Sequence, residues 1–341
     1  MTPLPKQVNT VAELDELLSR PSPALVELMR RLQGDLLVLG AGGKIGPSLC
    51  RMAYRAIEAA GVAKQVIAVA RSPLPELARE GITTLTCDLL DPEAVARLPR
   101  AANVVFMAGR KFGSTGNEPL TWAANVIVPC HVARVFTGSR VAVFSTGCVY
   151  PLLPAESGGA TEQTPPEPVG EYAQSCLGRE RVFDYYSQAV GERVVQVRLN
   201  YAIDLRYGVL HDLASRVWAG EPVDVTTAWV NVIWQGDACD WALRALELAA
   251  SPSRTLNVTG PQMLSVRELA GELGRRLGRE VTFAGRENGL AYLSDARQAV
   301  KLFGPAAVPL ARMLAWTAHW LRMGGPSLGK PTHFETQDGR F

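Results

Sequence analysis

Residues 35–46 read Asp35-Leu-Leu-Val-Leu-Gly40-Ala-Gly42-Gly43-Lys44-Ile45-Gly46 and run directly into a helical pattern over 47–60. A short buried strand, glycines at Gly40, Gly43 and Gly46, and then a helix form the layout in which a helix N-terminus receives the pyrophosphate of a dinucleotide. The first glycine lets the chain turn, the second lets backbone approach phosphate, and the third lets the helix sit close on the strand. Lys44 and Ile45 belong to the same turn. Gln65-Val-Ile-Ala-Val-Ala-Arg71 supplies a second apolar strand about thirty residues after the first, closing one βαβ unit.

The alternation continues beyond that unit. Strands are expected near 35–39, 65–70, 83–86, 103–107, 141–145 and 193–198, with helices near 44–60, 92–98, 119–137 and 172–189 between them. Near-continuous apolar strands joined by helices predict an α/β fold, a doubly wound parallel sheet of the Rossmann type, covered on both faces. Ligands of such sheets sit beyond the carboxyl ends of the strands. The segments 40–46, 70–73, 87–91, 108–118, 146–151 and 199–210 therefore carry the expectation of a site, and the Pro/Gly-rich stretch 151–170 reads as a loop over it.

Ahead of the first strand, residues 11–20 and 24–33 read as two helices broken by Pro21 and Pro23, an accessory cap. The expected organisation is a helical extension over 1–34, a dinucleotide-binding domain over 35–200, and a smaller, mainly substrate-binding region over 201–341. Residues 230–260 are expected to return to the sheet. In that last region Asp237 is a candidate cap for a helix over 238–249, and Ser265 for one over 265–277. Aromatics in the tail 331–341 leave open whether it docks.

The 341 residues carry a formal charge of only +2, with no basic run, which argues against nucleic acid as a partner. No stretch approaches the roughly twenty apolar residues of a membrane span. The N-terminus has acids and prolines where a signal peptide needs a basic start and an apolar core, so a cytoplasmic protein is expected. Six scattered cysteines without a CxxC pair read as reduced thiols. His131, His211, His319 and His333 have no metal-ligand spacing, so no metal is expected.

Several further motifs follow in order: Asp88 in Cys87-Asp-Leu89-Leu-Asp91, Ala108-Gly109 after the fourth strand, and Asn125 in Trp122-Ala-Ala-Asn-Val. Phe144-Ser-Thr146-Gly-Cys-Val-Tyr150-Pro and Tyr172-Ala-Gln-Ser-Cys176-Leu-Gly-Arg-Glu180 come after them. With the glycine turn, this order and spacing resembles the extended short-chain dehydrogenase/reductase family, in its epimerase and dehydratase branch, over about residues 35–310. The resemblance implies an NAD(P)-dependent oxidoreductase or epimerase acting on a sugar or nucleotide-sugar-like substrate. It implies cofactor contacts from Gly40, Gly43, Lys44, Ile45, Gly46, Asp88, Leu89, Ala108, Gly109 and Asn125. Tyr172 takes the family's proton-transferring position, and Thr146 the hydroxyl that binds the same substrate oxygen. A phenol with a pKa near 10 needs a nearby positive charge to work near neutral pH.

The family's lysine, four residues after the tyrosine, is here Cys176, which brings no charge. Arg179, on the same helical face, and Lys111, just past the fourth strand, are the candidate replacements. Arg71 closes the second strand where an NAD-preferring member carries an acid, and a guanidinium there pairs with a 2′-phosphate, so NADP is favoured over NAD. Substrate contacts are expected from Lys111, His211 and either Asn200 or Tyr201. The helices 119–137 and 172–189 occupy the positions through which family members pair, implying a homodimer. A non-catalytic NADP(H)-binding sensor or scaffold is the alternative that the missing lysine leaves open.

Overall fold

The computed structural model describes residues 3–340. Its centre is one seven-stranded sheet made of β1 (Leu36–Leu39), β2 (Val66–Ala70), β3 (Thr83–Thr86), β4 (Asn103–Phe106), β5 (Arg140–Thr146), β6 (Arg193–Leu199) and β7 (Arg254–Val258). The spatial order is β7-β6-β5-β4-β1-β2-β3 with every pairing parallel. The order reverses at β1, so the glycine turn at its carboxyl end opens into the crevice between neighbouring connections. β1, β2 and β4 are buried along their whole length, matching their unbroken apolar sequences, while edge strand β3 is not.

One face of the sheet is covered by α2 (Pro23–Arg31), α3 (Gly46–Ala60) and α6 (Gln235–Ala245), with Leu25, Met29, Leu49, Ala53 and Trp241 in the core. The other face is covered by Val128–Val135 and the long α4 (Gly170–Val190), through Val132, Phe136 and Phe183. A separate core joins α5 (Val209–Ala219), α7 (Val266–Leu277) and α8 (Leu310–Arg322), and Trp316 and Trp320 fill it.

The two N-terminal helices do not form a unit of their own. Ser22 caps α2 with Pro23 in its first turn, and that helix joins the sheet core. α1 (Val11–Leu18) instead places Leu14, Leu17 and Leu18 in the C-terminal core. Burying those three leucines contributes about 1.5–3 kcal/mol each, so the leading segment staples the two cores together.

Of residues 230–260, Arg254–Val258 joins the sheet beside β6, while Trp229–Val230 and Ile233–Trp234 form small ladders elsewhere. Ser265 caps α7 by accepting from the Glu268 N–H. Asp237 does not cap its helix: α6 starts two residues earlier, and the carboxylate accepts the Val308 N–H at 3.0 Å instead. The helix expected over 119–137 is divided into Glu118–Trp122, a π-turn over Ala123–Ile127 and Val128–Val135. A π-turn widens the backbone by one residue and commonly marks a functional position; here it holds Asn125.

Candidate active site

A cavity of about 870 Å³ lies at the carboxyl ends of the central strands, and its lining includes Arg71, Ser72, Asp88, Tyr172, Lys330 and Thr332. Its floor is the glycine turn. Gly40 has φ +93°, and a Cβ there would lie 2.5 Å from the Ala108 nitrogen, so neither the backbone conformation nor the space admits a side chain. At Gly46 a Cβ would lie 2.1 Å from the Ala41 carbonyl oxygen, which is how closely α3 approaches the turn. At Gly43 the nearest atom would be 3.6 Å away, and the residue borders the cavity. No side chain caps the start of α3, so its first N–H groups are left for an anion. A dinucleotide diphosphate fits this cradle.

Gly40, Gly43, Lys44, Ile45, Arg71, Asp88, Leu89, Ala108, Gly109, Lys111, Thr146, Tyr172, Asn200 and Tyr201 all border the cavity; Gly46, Asn125, Cys176 and His211 do not. Gly46 acts by letting α3 approach.

Asn125 is fully buried, and its amide is occupied. Its Oδ1 accepts from the Arg110 N–H at 2.8 Å and from Arg179 at 2.7 Å, and its Nδ2 donates to the Arg110 carbonyl at 3.0 Å and to Ser175 Oγ at 2.9 Å. It ties the loop after β4 to α4. His211 is also turned away: its ring nitrogens meet the Leu205 carbonyl at 2.8 Å and Ser327 Oγ at 3.0 Å. Burial lowers its pKa. The loop 151–170 contributes no residue to the cavity wall either; Ala160 bridges to Ser294 and accepts from Asn257 at 2.8 Å.

What covers the cavity is the tail. The Thr332 N–H and Oγ–H both donate to Asp212, at 2.8 and 2.6 Å, and its carbonyl accepts from Lys111 Nζ at 3.1 Å. Phe334 is buried, and Arg216 meets Glu335 at 3.4 Å. Docking therefore places Lys330 and Thr332 in the wall, residues the sequence did not single out.

The chemistry-bearing end is braced from beneath. Glu180 on α4 accepts from Arg198 on β6 at 2.6 and 2.9 Å and from Ser145 on β5 at 2.5 Å. One residue nearer the helix start, Arg179 donates its guanidinium N–H groups to the Phe144 carbonyl and Asn125, both at 2.7 Å. A Cβ on Gly109 would lie 2.3 Å from that guanidinium, so a side chain there would push Arg179 aside. Arg179 is thus a strut between α4, β5 and the loop after β4.

These struts fix α4, and with it Tyr172, beside Thr146 at the end of β5. Thr146 Oγ1 accepts the Cys148 N–H at 3.2 Å and keeps its own proton to donate. Burial, then the neighbouring Cys176 and Cys148, hold the Tyr172 phenol well above its usual range, and burial pushes the Cys176 thiol up to about 11. Lys111 Nζ stands 5.8 Å from the Tyr172 ring centre. Its burial lowers its pKa, which nearby acids including Asp212 and Glu335 partly offset.

Two rings that sequence reasoning missed border the same space. Lys44 Nζ lies 3.8 Å from the centre of the Phe112 ring and 3.3 Å from that of Tyr207. Both rings lie in segments, 108–118 and 199–210, that follow strands, and that position was the available signal. Tyr201 borders the cavity with φ +42°, a conformation that costs a non-glycine residue energy and that concentrates at functional sites.

The fold and this cavity define an α/β protein of the dinucleotide-binding type, with a glycine turn and the hydroxyl-bearing Thr146 and Tyr172 lining one cavity. A model of the NAD dependent epimerase/dehydratase family matches residues 36–259, and the chain belongs to that family. Among curated relatives, a 2-alkyl-3-oxoalkanoate reductase from Shewanella oneidensis is 29% identical over 166 residues, covering 46% of this chain and 37% of the relative. The enzyme of the same name from Stenotrophomonas maltophilia is 37% identical over 92 residues, 27% of this chain and 26% of the relative. The matched segments thus span well under half of those proteins.

Among solved structures, the dTDP-glucose 4,6-dehydratase DesIV from Streptomyces venezuelae, with NAD bound, superposes with a TM-score of 0.71 at 23% identity, over 84% of this chain and 97% of that one. The UDP-glucose 4-epimerase from Thermotoga maritima gives 0.70 at 19%, over 85% and 99%. At these identities the likeness is one of fold.

Proposed function

We propose that this protein is an NADP-dependent oxidoreductase acting on a hydroxyl- or carbonyl-bearing carbon of a small substrate. The observation that carries the reading is that Thr146, Tyr172 and Lys111 line the same cavity as the glycine turn, with Lys111 Nζ 5.8 Å from the Tyr172 ring centre. Bound in that cradle, a nicotinamide cofactor supplies hydride exchange with a substrate carbon. The chain's own residues handle the oxygen. Tyr172 Oη gives or takes its proton, and Thr146 Oγ1 donates to it and fixes its direction. Arg179, whose charge lowers the Tyr172 pKa, and Lys111, 5.8 Å from the Tyr172 ring, supply positive charge in place of the family's lysine, and burial of the phenol keeps water from the reacting oxygen.

NADP is favoured by Arg71, an exposed cation at the end of β2 on the cavity rim, with no acid beside it in Ala70-Arg71-Ser72. A sugar is one substrate class within this reading. The curated relatives' name, an oxoalkanoate reductase, supports a carbonyl carbon as the reacting centre. A nucleotide sugar is less well supported, because one cavity of about 870 Å³, part of whose wall is the docked tail, must also house the dinucleotide.

The sensor reading retains one point in its favour: Cys176, where the family's lysine would stand, is a buried thiol whose pKa burial pushes up to about 11. Titration with NADP and NADPH, followed by nicotinamide absorbance with panels of ketones, oxo acids and sugars, separates the two. Tyr172→Phe should cut turnover at least a hundredfold, in line with the 10²–10⁴-fold of general acid–base groups, and leave cofactor affinity within about twofold. Full activity in that variant would remove Tyr172 from the mechanism; tight cofactor binding with no turnover on any panel would favour the sensor.

A further inference from the structure

α1 lies ahead of residue 36, where the match to the family model begins, yet it is tied to two sides of the cavity. Asp15 on this helix sits between two arginines. Its Oδ2 lies 3.7 Å from Arg51 Nη1 on α3, the helix that follows the glycine turn, and its Oδ1 lies 3.0 Å from Arg206 Nη2 in the segment after β6. Arg55, also on α3, donates to Ser19 Oγ at 2.8 Å and to the Glu16 carbonyl at 3.2 Å, which fixes the end of α1 on the same helix.

Each arginine beside Asp15 also has an acid of its own. Arg51 pairs with Glu80 at 2.7 Å, and Arg206 with Asp204 at 2.8 Å. The charges therefore alternate in sign along Glu80, Arg51, Asp15, Arg206 and Asp204, and Asp15 links the half on α3 to the half after β6. Arg51 and Asp204 are buried, which strengthens the attraction along the row.

Asp204 and Arg206 shape a tight turn that ends at the cavity. The Asp204 N–H donates to the Tyr207 carbonyl at 3.0 Å, the Tyr207 N–H donates to the Asp204 carbonyl at 3.2 Å, and Asp204 Oδ1 accepts the Arg206 N–H at 2.8 Å. Tyr207 borders the cavity. Its ring centre is 3.3 Å from Lys44 Nζ in the glycine turn, and the ring stands edge-to-face with Phe112 at 6.5 Å. A circuit is thus closed from the glycine turn through α3, Asp15, Arg206 and Tyr207 back to Lys44. The backbone of the turn has two further holds, His211 on the Leu205 carbonyl at 2.8 Å and the Leu328 N–H on the Arg206 carbonyl at 3.0 Å. Both come from the C-terminal part of the chain and neither ties the turn to α3.

We propose that Asp15 is a positioning residue of the cavity: through Arg206 it holds Tyr207 against the glycine turn, so that the N-terminal helix belongs to the construction of the site and is not an external cap. A wall held in place before the ligand arrives spares the ligand the cost of ordering it. The proposal takes from the preceding reading only that a nicotinamide dinucleotide occupies this cavity, and its test separates the two.

Asp15→Asn keeps the shape, removes the charge and leaves each arginine with its own acid, so folding is not at stake. Amide hydrogen exchange of the full chain without ligand reads the turn directly: exchange over residues 204–209 should rise about tenfold in the variant, with β4 and β5 unchanged. NADPH titration followed by nicotinamide fluorescence should show affinity lowered about fivefold. Asp15→Glu, which keeps the charge, should recover most of that loss. In a Tyr207→Ala background, adding Asp15→Asn should change the affinity by less than about twofold, because the two residues act along one path.

Unchanged exchange over 204–209 in Asp15→Asn would overturn the proposal. So would a loss of NADPH affinity that is the same with and without the Tyr207 ring. Raised exchange with unchanged affinity would overturn it as well, leaving Asp15 a structural contact that moves urea unfolding alone. Failure of the unmodified protein to bind NADPH or NADH would instead remove the nicotinamide reading, and the exchange result by itself would then decide whether Asp15 holds the wall.

Discussion

Glu192, at the amino end of β6 and so at the opposite end of that strand from the cavity, is fully buried, and neither carboxylate oxygen has a partner among the described residues. Burial raises its pKa from the ordinary 4.5 to about 8. The folded protein therefore holds this proton near neutral pH while the unfolded chain does not. The associated stability is fully present below the unfolded value and is lost as pH rises through the folded one. Each pKa unit is worth 1.36 kcal/mol, so the separation corresponds to at most about 5 kcal/mol, and relaxation or water entry brings the expectation nearer 3 kcal/mol.

Glu192→Met keeps the unbranched shape and removes the titration. Urea unfolding from pH 4.5 to 9 should show the unmodified protein losing stability across that window and the variant losing about 3–5 kcal/mol less. The advantage of the variant should grow with pH, and NADP affinity should not change. Parallel stability profiles for the two proteins would refute the assignment of an unpaired, proton-holding carboxyl at this position.

Three other outcomes follow from the geometry. Gly46→Ala places a methyl about 2 Å from the Ala41 carbonyl oxygen, so α3 must retreat from the turn; cofactor affinity should fall at least tenfold, measured by NADPH fluorescence, and an unchanged affinity would remove this turn as the phosphate cradle. Arg71→Ala should abolish a preference for NADP over NAD worth about 1–3 kcal/mol, the range for hydrogen bonds to charged groups, and equal affinity for both cofactors in the unmodified protein would contradict it. Trp122, Ile127, Tyr185 and Val190 leave large apolar groups exposed on Glu118–Val135 and α4, so a homodimer is expected by light scattering at micromolar concentration, and Tyr185→Glu should raise the monomer fraction.

The strand–glycine–helix start, the second strand and the later alternation were sufficient to place the parallel sheet, its dinucleotide crevice and the loops beyond the strand ends. These signals are local: a strand buried on both faces must be apolar throughout, and Gly40 and Gly46 answer to backbone atoms a few residues or one strand away. Tyr172 and Thr146, singled out by the family resemblance, do line the cavity, since each place is set on one helix or one strand.

Direction and long-range pairing were decided only by tertiary structure. Nothing in the sequence of Asn125 distinguishes an amide facing a cofactor from one already bonded to Arg110, Ser175 and Arg179. His211 could be placed after a strand but not turned toward or away from the crevice. Arg179 was one of two candidate replacements for the lysine, and only the tertiary structure fixed its partners, Phe144 on β5 and Asn125 on the helical run after β4. Lys330 joined the cavity through Thr332 and Asp212, a contact between residues more than a hundred positions apart that no periodicity encodes. Local patterns specify backbone and burial; which polar atom meets which is settled when the chain closes on itself.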